Sequence, residues 1–290
     1  MIEQAITRIQ TMEMYFDTLQ NAYQNNPILI REDAILNQYL QQLIDYYHNG
    51  QWLKDYELDE QGKIPKNLKR GILSQDALYN FFDDIKELYH FDIDDLKWIR
   101  APQNYSITDD KIEIVTQPHT DLWQRTYYHF RNDNAPVLQM KTCEQYFSFT
   151  VKTAFDSKKR FDQCGIIMYL DSDNWLKASI EYENEVFQHL GSVVTNHGYS
   201  DWATTEIDAN IKSMWYRFSR RVNDFCIECS EDGIHFKQMR ICHMWEAKDC
   251  IQFGIYACSP EASSFKATFT HMQLSECKWL SHIGQQPDTE

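Results

Sequence analysis

The sequence predicts an α+β protein of two domains, an N-terminal helical bundle over residues 1–92 and an all-β antiparallel two-sheet sandwich over residues 96–283. Three observations carry this reading. At 290 residues the chain exceeds the commonest single-domain size and can bury a core in each of two domains. Apolar residues recur at helical spacing up to about residue 92, and beyond it the pattern becomes strict alternation. No helical pattern returns between the alternating runs, which selects a sandwich or barrel over an alternating α/β fold.

The first helix is set by Ile2, Ala5, Ile9, Met12, Phe16, Leu19 and Tyr23, which fall on one stripe. Asn25-Asn26-Pro27 ends it, because proline cannot continue a helix. A second helix is predicted from about Arg31 to His48, carrying Leu36, Leu40, Leu43 and Tyr47 and stopping at Asn49-Gly50. Gln51 to Arg70 is polar, contains Gly62 and Pro65, and reads as a loop with one turn of helix around Trp52. Ser74 caps a third helix with Asp76 in its first turn and Leu78, Phe81, Phe82, Ile85 and Leu88 on its buried side. Three helices give a thin core, so this domain is expected to pack on its neighbour or to form a homodimer.

After the linker Asp92-Ile93-Asp94-Asp95 the strands begin. Phe147, Phe149 and Val151 alternate with Ser148, Thr150 and Lys152, and similar runs cover 164–170, 175–182, 187–195, 215–222, 225–230, 234–242, 251–257 and 265–274. Ser230-Glu231-Asp232-Gly233 carries the Asp-Gly pair of a tight hairpin, so its flanking strands should be antiparallel neighbours. Gln285 to Glu290 reads as an unstructured tail.

Composition narrows the function. A formal charge of −15 disfavours nucleic acid and anionic membrane, which need clustered Lys and Arg. The start, Met1-Ile2-Glu3-Gln4, lacks a secretory pattern, and no long apolar run is present, so a cytoplasmic location is expected. The eight cysteines then read as reduced, buried small hydrophobes. Cys226 and Cys229 have CxxC spacing, but in a strand residues three apart point to opposite faces, and the histidines are scattered; no metal and no cofactor is expected. No nucleophile elbow, phosphate loop, dinucleotide fingerprint or HExxH is present.

Three stretches carry a family likeness: Cys164 to Asp171, Asn174 to Tyr182 with its Trp175-x-Lys177-x-x-x-Glu181-Tyr182 word, and Gly191 to Trp202 ending in Gly198-Tyr199-Ser200-Asp201-Trp202. Arg217 to Arg221 and Ser230-x-Asp232-Gly233-x-x-Phe236 continue it. Over roughly residues 96–280 the chain resembles the concanavalin A-like proteins that include the regulation-of-enolase protein. The resemblance implies a jelly-roll sandwich of the lectin and glucanase type and no proven activity. Residues 1–90 look similar to a small bacterial helical domain of unknown function.

Candidate site residues come from side-chain chemistry. Along 175–182, alternation sets Leu176, Ala178, Ile180 and Tyr182 on one face and Trp175, Lys177, Ser179 and Glu181 on the other. The second face pairs an aromatic platform with both charge signs, as a surface that stacks a sugar ring would; a solvated Lys–Glu pair under an aromatic brace is the competing reading. Tyr199, Asp201 and Trp202 sit in an aromatic loop that could rim the site, or plug the end of the sandwich with Asp201 capping amides. Arg217, on a neighbouring strand, completes the candidate ligand site, and an inward arginine there would need Glu181 or Asp201 as partner. The expected function is non-catalytic binding of a saccharide-like molecule or a cytoplasmic protein. The alternative is a glycoside hydrolase using Glu181 and a nearby carboxylate; Glu181, Glu183 and Glu185 have the spacing, but Asn184 reads as a turn residue that would scatter them.

Overall fold

A computed structural model describes residues 2–282, and the expected tail from Gln285 lies outside the described residues. The chain divides into two compact units. The first takes the N-terminal residues as far as His90, with Glu144–Phe147 and the segment from Ser275; the second takes Phe91–Cys143 and Ser148–Leu274.

The first unit is built on α1 (Ile2–Asn25), α2 (Leu29–Glu32), α3 (Ala34–His48), α4 (Gln51–Glu60) and α5 (Gln75–Lys86). The stripe Ala5, Ile9, Met12, Phe16 and Leu19 is the buried side of α1, while Ile2 stays exposed. Ser74 caps α5 by accepting from the Ala77 amide. The predicted second helix is divided: Arg31 belongs to the short α2, and Asp33 starts α3 by accepting from the Ile35 and Leu36 amides at 2.9 and 3.0 Å. The segment predicted as loop contains the full helix α4. Its buried residues are Trp52 and Asp55, so it shows no apolar stripe, and polar contacts hold it instead. Asp55 accepts from Arg8 at 2.8 and 2.5 Å and from the Tyr46 hydroxyl at 3.0 Å, and the Trp52 indole donates to Ile72 O at 2.9 Å. Gly50, at φ 73°, supplies the left-handed residue between α3 and α4.

Among the described residues the second unit forms two seven-stranded antiparallel sheets and a two-stranded ribbon. In chain order the strands are β1 (Lys97–Arg100), β2 (Asn104–Thr108), β3 (Lys111–Val115), β4 (Leu122–Gln124), β5 (Arg131–Asp133), β6 (Val137–Thr142), β7 (Tyr146–Phe155), β8 (Gln163–Asp171), β9 (Asn174–Tyr182) and β10 (Phe187–Asn196). They continue with β11 (Tyr199–Asp208), β12 (Ser213–Arg221), β13 (Asp224–Ser230), β14 (Lys237–His243), β15 (Ile251–Cys258) and β16 (Lys266–Ser275). The first sheet runs β1-β6-β15-β8-β9-β10-β11, the second β14-β13-β12-β7-β16-β3-β2, and β4-β5 is the ribbon. Phe253 on β15 meets Phe149 on β7 and Phe218 on β12 at ring separations of 5.2 and 6.0 Å, which places the core between the sheets. The predicted Asp-Gly hairpin joins β13 and β14, with Gly233 at φ 77°.

Two readings are corrected here. Gly198 to Trp202 is no loop: His197 and Gly198, both at positive φ, form a two-residue turn, and β11 pairs with β10 from Tyr199↔Asn196 onward. Most of β11 is exposed at a sheet edge, so the alternation that marks a half-buried strand is missing from its sequence. The cysteines are not all thiols, because Cys143 and Cys250 form a disulfide. The antiparallel register of β6 and β15, with Thr142 opposite Ile251, brings these flanking residues face to face. Disulfides persist in oxidising surroundings, so the cysteines give no support to a cytoplasmic location. No helix among the described residues is long and apolar enough to cross a membrane.

Candidate functional site

The pairing of β8, β9, β10 and β15 sets Tyr256, Gln163, Gly165, Ile167, Trp175, Lys177, Ser179, Glu181, Gly191 and Val193 on the face of the first sheet turned away from the second. The β4-β5 ribbon lies over part of this face. Leu122 and Ala135 pack there with Val137, Ile167, Tyr169, Trp175, Val193 and Tyr256. The ribbon is tied down at several points. The Gln124 amide donates to Ser200 Oγ at 2.9 Å, Gln124 Nε2 to Ser172 O at 2.7 Å, Arg125 to Gly198 O at 2.6 Å and Arg131 to Asp173 at 3.0 Å.

Beside the ribbon the same face opens into a cavity of about 320 Å³. Its aromatic lining is Trp123, Tyr128, Phe130, Phe161 and Trp202; its polar lining includes Asp121, Asn132, Gln163, Lys177 and Glu181, with Arg160 and Glu261 more exposed. Trp123 stands at 85° to Trp202 with ring centres 6.4 Å apart, and at 70° to Tyr128 at 5.7 Å.

Lys177 is 3 % exposed and Glu181 4 % exposed. Lys177 Nζ donates to Gln163 Oε1 at 2.7 Å and lies 4.0 Å from Asp121 Oδ1. The Tyr256 hydroxyl bridges Gln163 Oε1 and Ser179 Oγ at 2.9 and 2.8 Å, fixing the glutamine that orients the lysine. The Trp202 indole nitrogen lies beside the Glu181 carboxyl, over Gly191. Gly191 makes room for this contact, since a Cβ there would stand 3.2 Å from Glu181 Oε1 and 3.3 Å from Trp202 Nε1. Burial pushes the Glu181 carboxyl up to about 7; the Lys177 charge opposes the rise, Asp121 adds to it, and the Trp202 donor opposes it.

This shift makes stability depend on pH. A folded-state pKa raised above the ordinary carboxyl value means that the folded chain holds a proton the unfolded chain releases. Stability from Glu181 is therefore complete below about 4.5 and is lost as pH rises through about 7. Glu181→Gln should flatten the denaturation midpoint across that window, the wild type losing about 3 kcal/mol relative to the variant from pH 4.5 to 8. Parallel pH profiles of the two proteins would contradict this origin.

Of the seven residues singled out in the sequence, the structure brings Lys177, Glu181 and Trp202 to one cavity. Trp175 shares their face but is fully buried in the cluster under the ribbon, with its indole donating to Ser172 O at 3.3 Å; the stacking surfaces belong to Trp123 and Trp202 instead. Asp201 points the other way from its neighbour Trp202 and pairs with Arg240 of β14 at 2.9 Å. Tyr199 is 63 % exposed under Arg125, outside the cavity lining. Arg217 lies on the second sheet, bound to Glu228 at 2.6 and 2.8 Å. Arg220 and Arg221 of the same strand are buried, and Arg220 donates to the carbonyls of Val222, Asp249 and Lys248. The signal that was missed is the aromatic density of Leu122 to Phe130, where Trp123, Tyr127, Tyr128 and Phe130 fall within one short segment. Asn184 accepts from the Val186 and Phe187 amides in a turn, so Glu185 leaves the strand as its sequence predicts. Among the described residues no group of three His, Cys, Asp or Glu side chains is placed to hold a metal ion.

Residues 98–277, which span both sheets and the ribbon, match a family model described as a protein of unknown function (DUF1349). The chain belongs to the DUF1349 family. A second model, a domain of unknown function (DUF4298), matches residues 9–92. The regulation of enolase protein 1 of Saccharomyces cerevisiae is 30% identical over 178 residues, covering 61% of this chain and 88% of that protein. The crystal structure of a functionally unknown protein from Saccharomyces cerevisiae matches with TM-score 0.60 at 28% identity, covering 64% of this chain and 98% of that one. A GH43 protein from Bacillus licheniformis matches with TM-score 0.51 at 18% identity over 63% of this chain and 37% of that one, a likeness of fold. Within the DUF1349 match, the Trp-x-Lys-x-x-x-Glu-Tyr word supplies two cavity residues and one core residue, and Ser200 of the Gly-Tyr-Ser-Asp-Trp word anchors the ribbon.

Proposed function

We propose that this DUF1349-family chain is a non-catalytic binding or regulatory protein whose sandwich cavity holds a saccharide-like ring. The cavity carries the reading: aromatic faces at right angles stand over a floor of fixed donors and acceptors, which is how small polar rings are held. The name of the yeast relative points to regulation, and the low identity to GH43 proteins gives no support to turnover. A glycan array followed by calorimetry on the full chain tests it. Binding of a defined saccharide is expected, and Trp202→Ala should weaken it by about 1 to 3 kcal/mol, by analogy with base stacking, while the melting temperature moves by only a few degrees. Affinity capture of a stoichiometric protein with no glycan binding would favour a protein partner instead.

A hydrolase reading draws on one observation, the Glu181 carboxyl raised to about 7 with Asp121 close by, as a general acid and its partner would be. Release of reducing sugar from a substrate panel, lost in Glu181→Gln, would establish it and overturn the non-catalytic reading.

A further inference from the structure

Among the described residues no basic side chain lies within 4 Å of the Glu181 carboxyl, although the Lys177 charge acts on it from farther off. Lys177 faces Asp121 at 4.0 Å and donates to Gln163. Arg160 lies between Glu183 at 3.8 Å and Glu261 at 3.9 Å. His189, beside Glu181 on β10, turns Nε2 toward Glu183 at 3.8 Å and stacks edge-on to Trp202 at 6.1 Å. Beside Glu181 stands the neutral indole of Trp202 on β11. Lys177 Nζ reaches Gln163, the residue paired across from Glu181, and acts on Glu181 through its charge without touching it. The floor thus sets one ammonium against two carboxyls, and the carboxyl without a contacting cation is buried in a cavity whose walls include two orthogonal indole rings. A buried carboxylate without a cation is costly, and rings set around a point are the surroundings that favour an ammonium.

Building on the binding reading above, we propose that the ligand is a polyhydroxylated ring bearing a basic nitrogen, an amino sugar in chemical class, whose ammonium lies against Glu181 and the faces of Trp123 and Trp202. The ammonium would supply the direct contact with a cation that Glu181 lacks, since Lys177 acts on it only from a distance. A ligand carboxylate would instead meet both Asp121 and Glu181. The rise of the Glu181 carboxyl to about 7 agrees with this, because a bound cation would restore its ionised form and release a proton.

The test is calorimetry on the full chain at pH 7 with glucose, glucuronate, glucosamine and 6-amino-6-deoxyglucose. One of the two amino sugars should bind at least about tenfold tighter than glucose, and glucuronate no tighter than glucose. Glu181→Gln, which keeps the side-chain volume, should bring the ratio of amino-sugar to glucose affinity down to about one, whatever it does to the affinity for glucose itself. Equal binding of glucose and both amino sugars, or a preference that survives in Glu181→Gln, overturns the inference and leaves the binding reading intact. No binding of any of the four sinks both.

Discussion

Replacing Trp175 by alanine is expected to lower the unfolding free energy by about 3 to 5 kcal/mol, as truncation of a fully buried aromatic does. Trp175 is packed among Leu122, Ile167, Tyr169, Val193 and Tyr256, so its removal leaves a cavity lined by side chains that belong to three other strands of the sheet and the ribbon. The ribbon also forms the Trp123 wall of the candidate site, so ligand binding should weaken together with stability. Urea denaturation of wild type and variant, followed by tryptophan fluorescence and far-ultraviolet dichroism, measures the loss. A midpoint close to that of the wild type would show that Trp175 is a surface platform and not a core residue.

Replacing Asp55 by alanine is expected to cost about 3 kcal/mol in the helical unit. Asp55 is wholly buried and holds the Arg8 guanidinium through two hydrogen bonds and the Tyr46 hydroxyl through a third. Its removal leaves a phenol without its partner inside the unit and an arginine without its anion, the costly way to break a buried pair. The pair also raises the Arg8 pKa, chiefly through the side-chain hydrogen bond to Asp55, so no accessible pH discharges the arginine to soften the loss. Loss of helical dichroism at lower denaturant in the variant is the expected result, and a shift under about 1 kcal/mol would show that α4 is held by Trp52 and its neighbours alone.

The sequence by itself determined the elements whose two faces differ. The α1 stripe, the Ser74 cap, the Asp-Gly hairpin and the alternating strands from β8 to β16 other than β11 are legible because a half-buried element writes its period into its residues. It also named Lys177, Glu181 and Trp202, since apolar and charged residues alternate along one strand and an aromatic follows a tight turn. Other elements lacked such a period. Helix α4 is held by Arg8 and Tyr46, which come from two other helices, and β11 is an exposed edge. Tertiary structure alone decided that the β4-β5 ribbon covers the outer face of the first sheet. That covering turned Trp175 from a platform into core and brought Trp123, Tyr128 and Asp121 to the cavity from about fifty residues upstream. Register decided the remainder: neighbouring residues on a strand face opposite sides, so Asp201 left the site that Trp202 entered, and Arg217 fell on the other sheet.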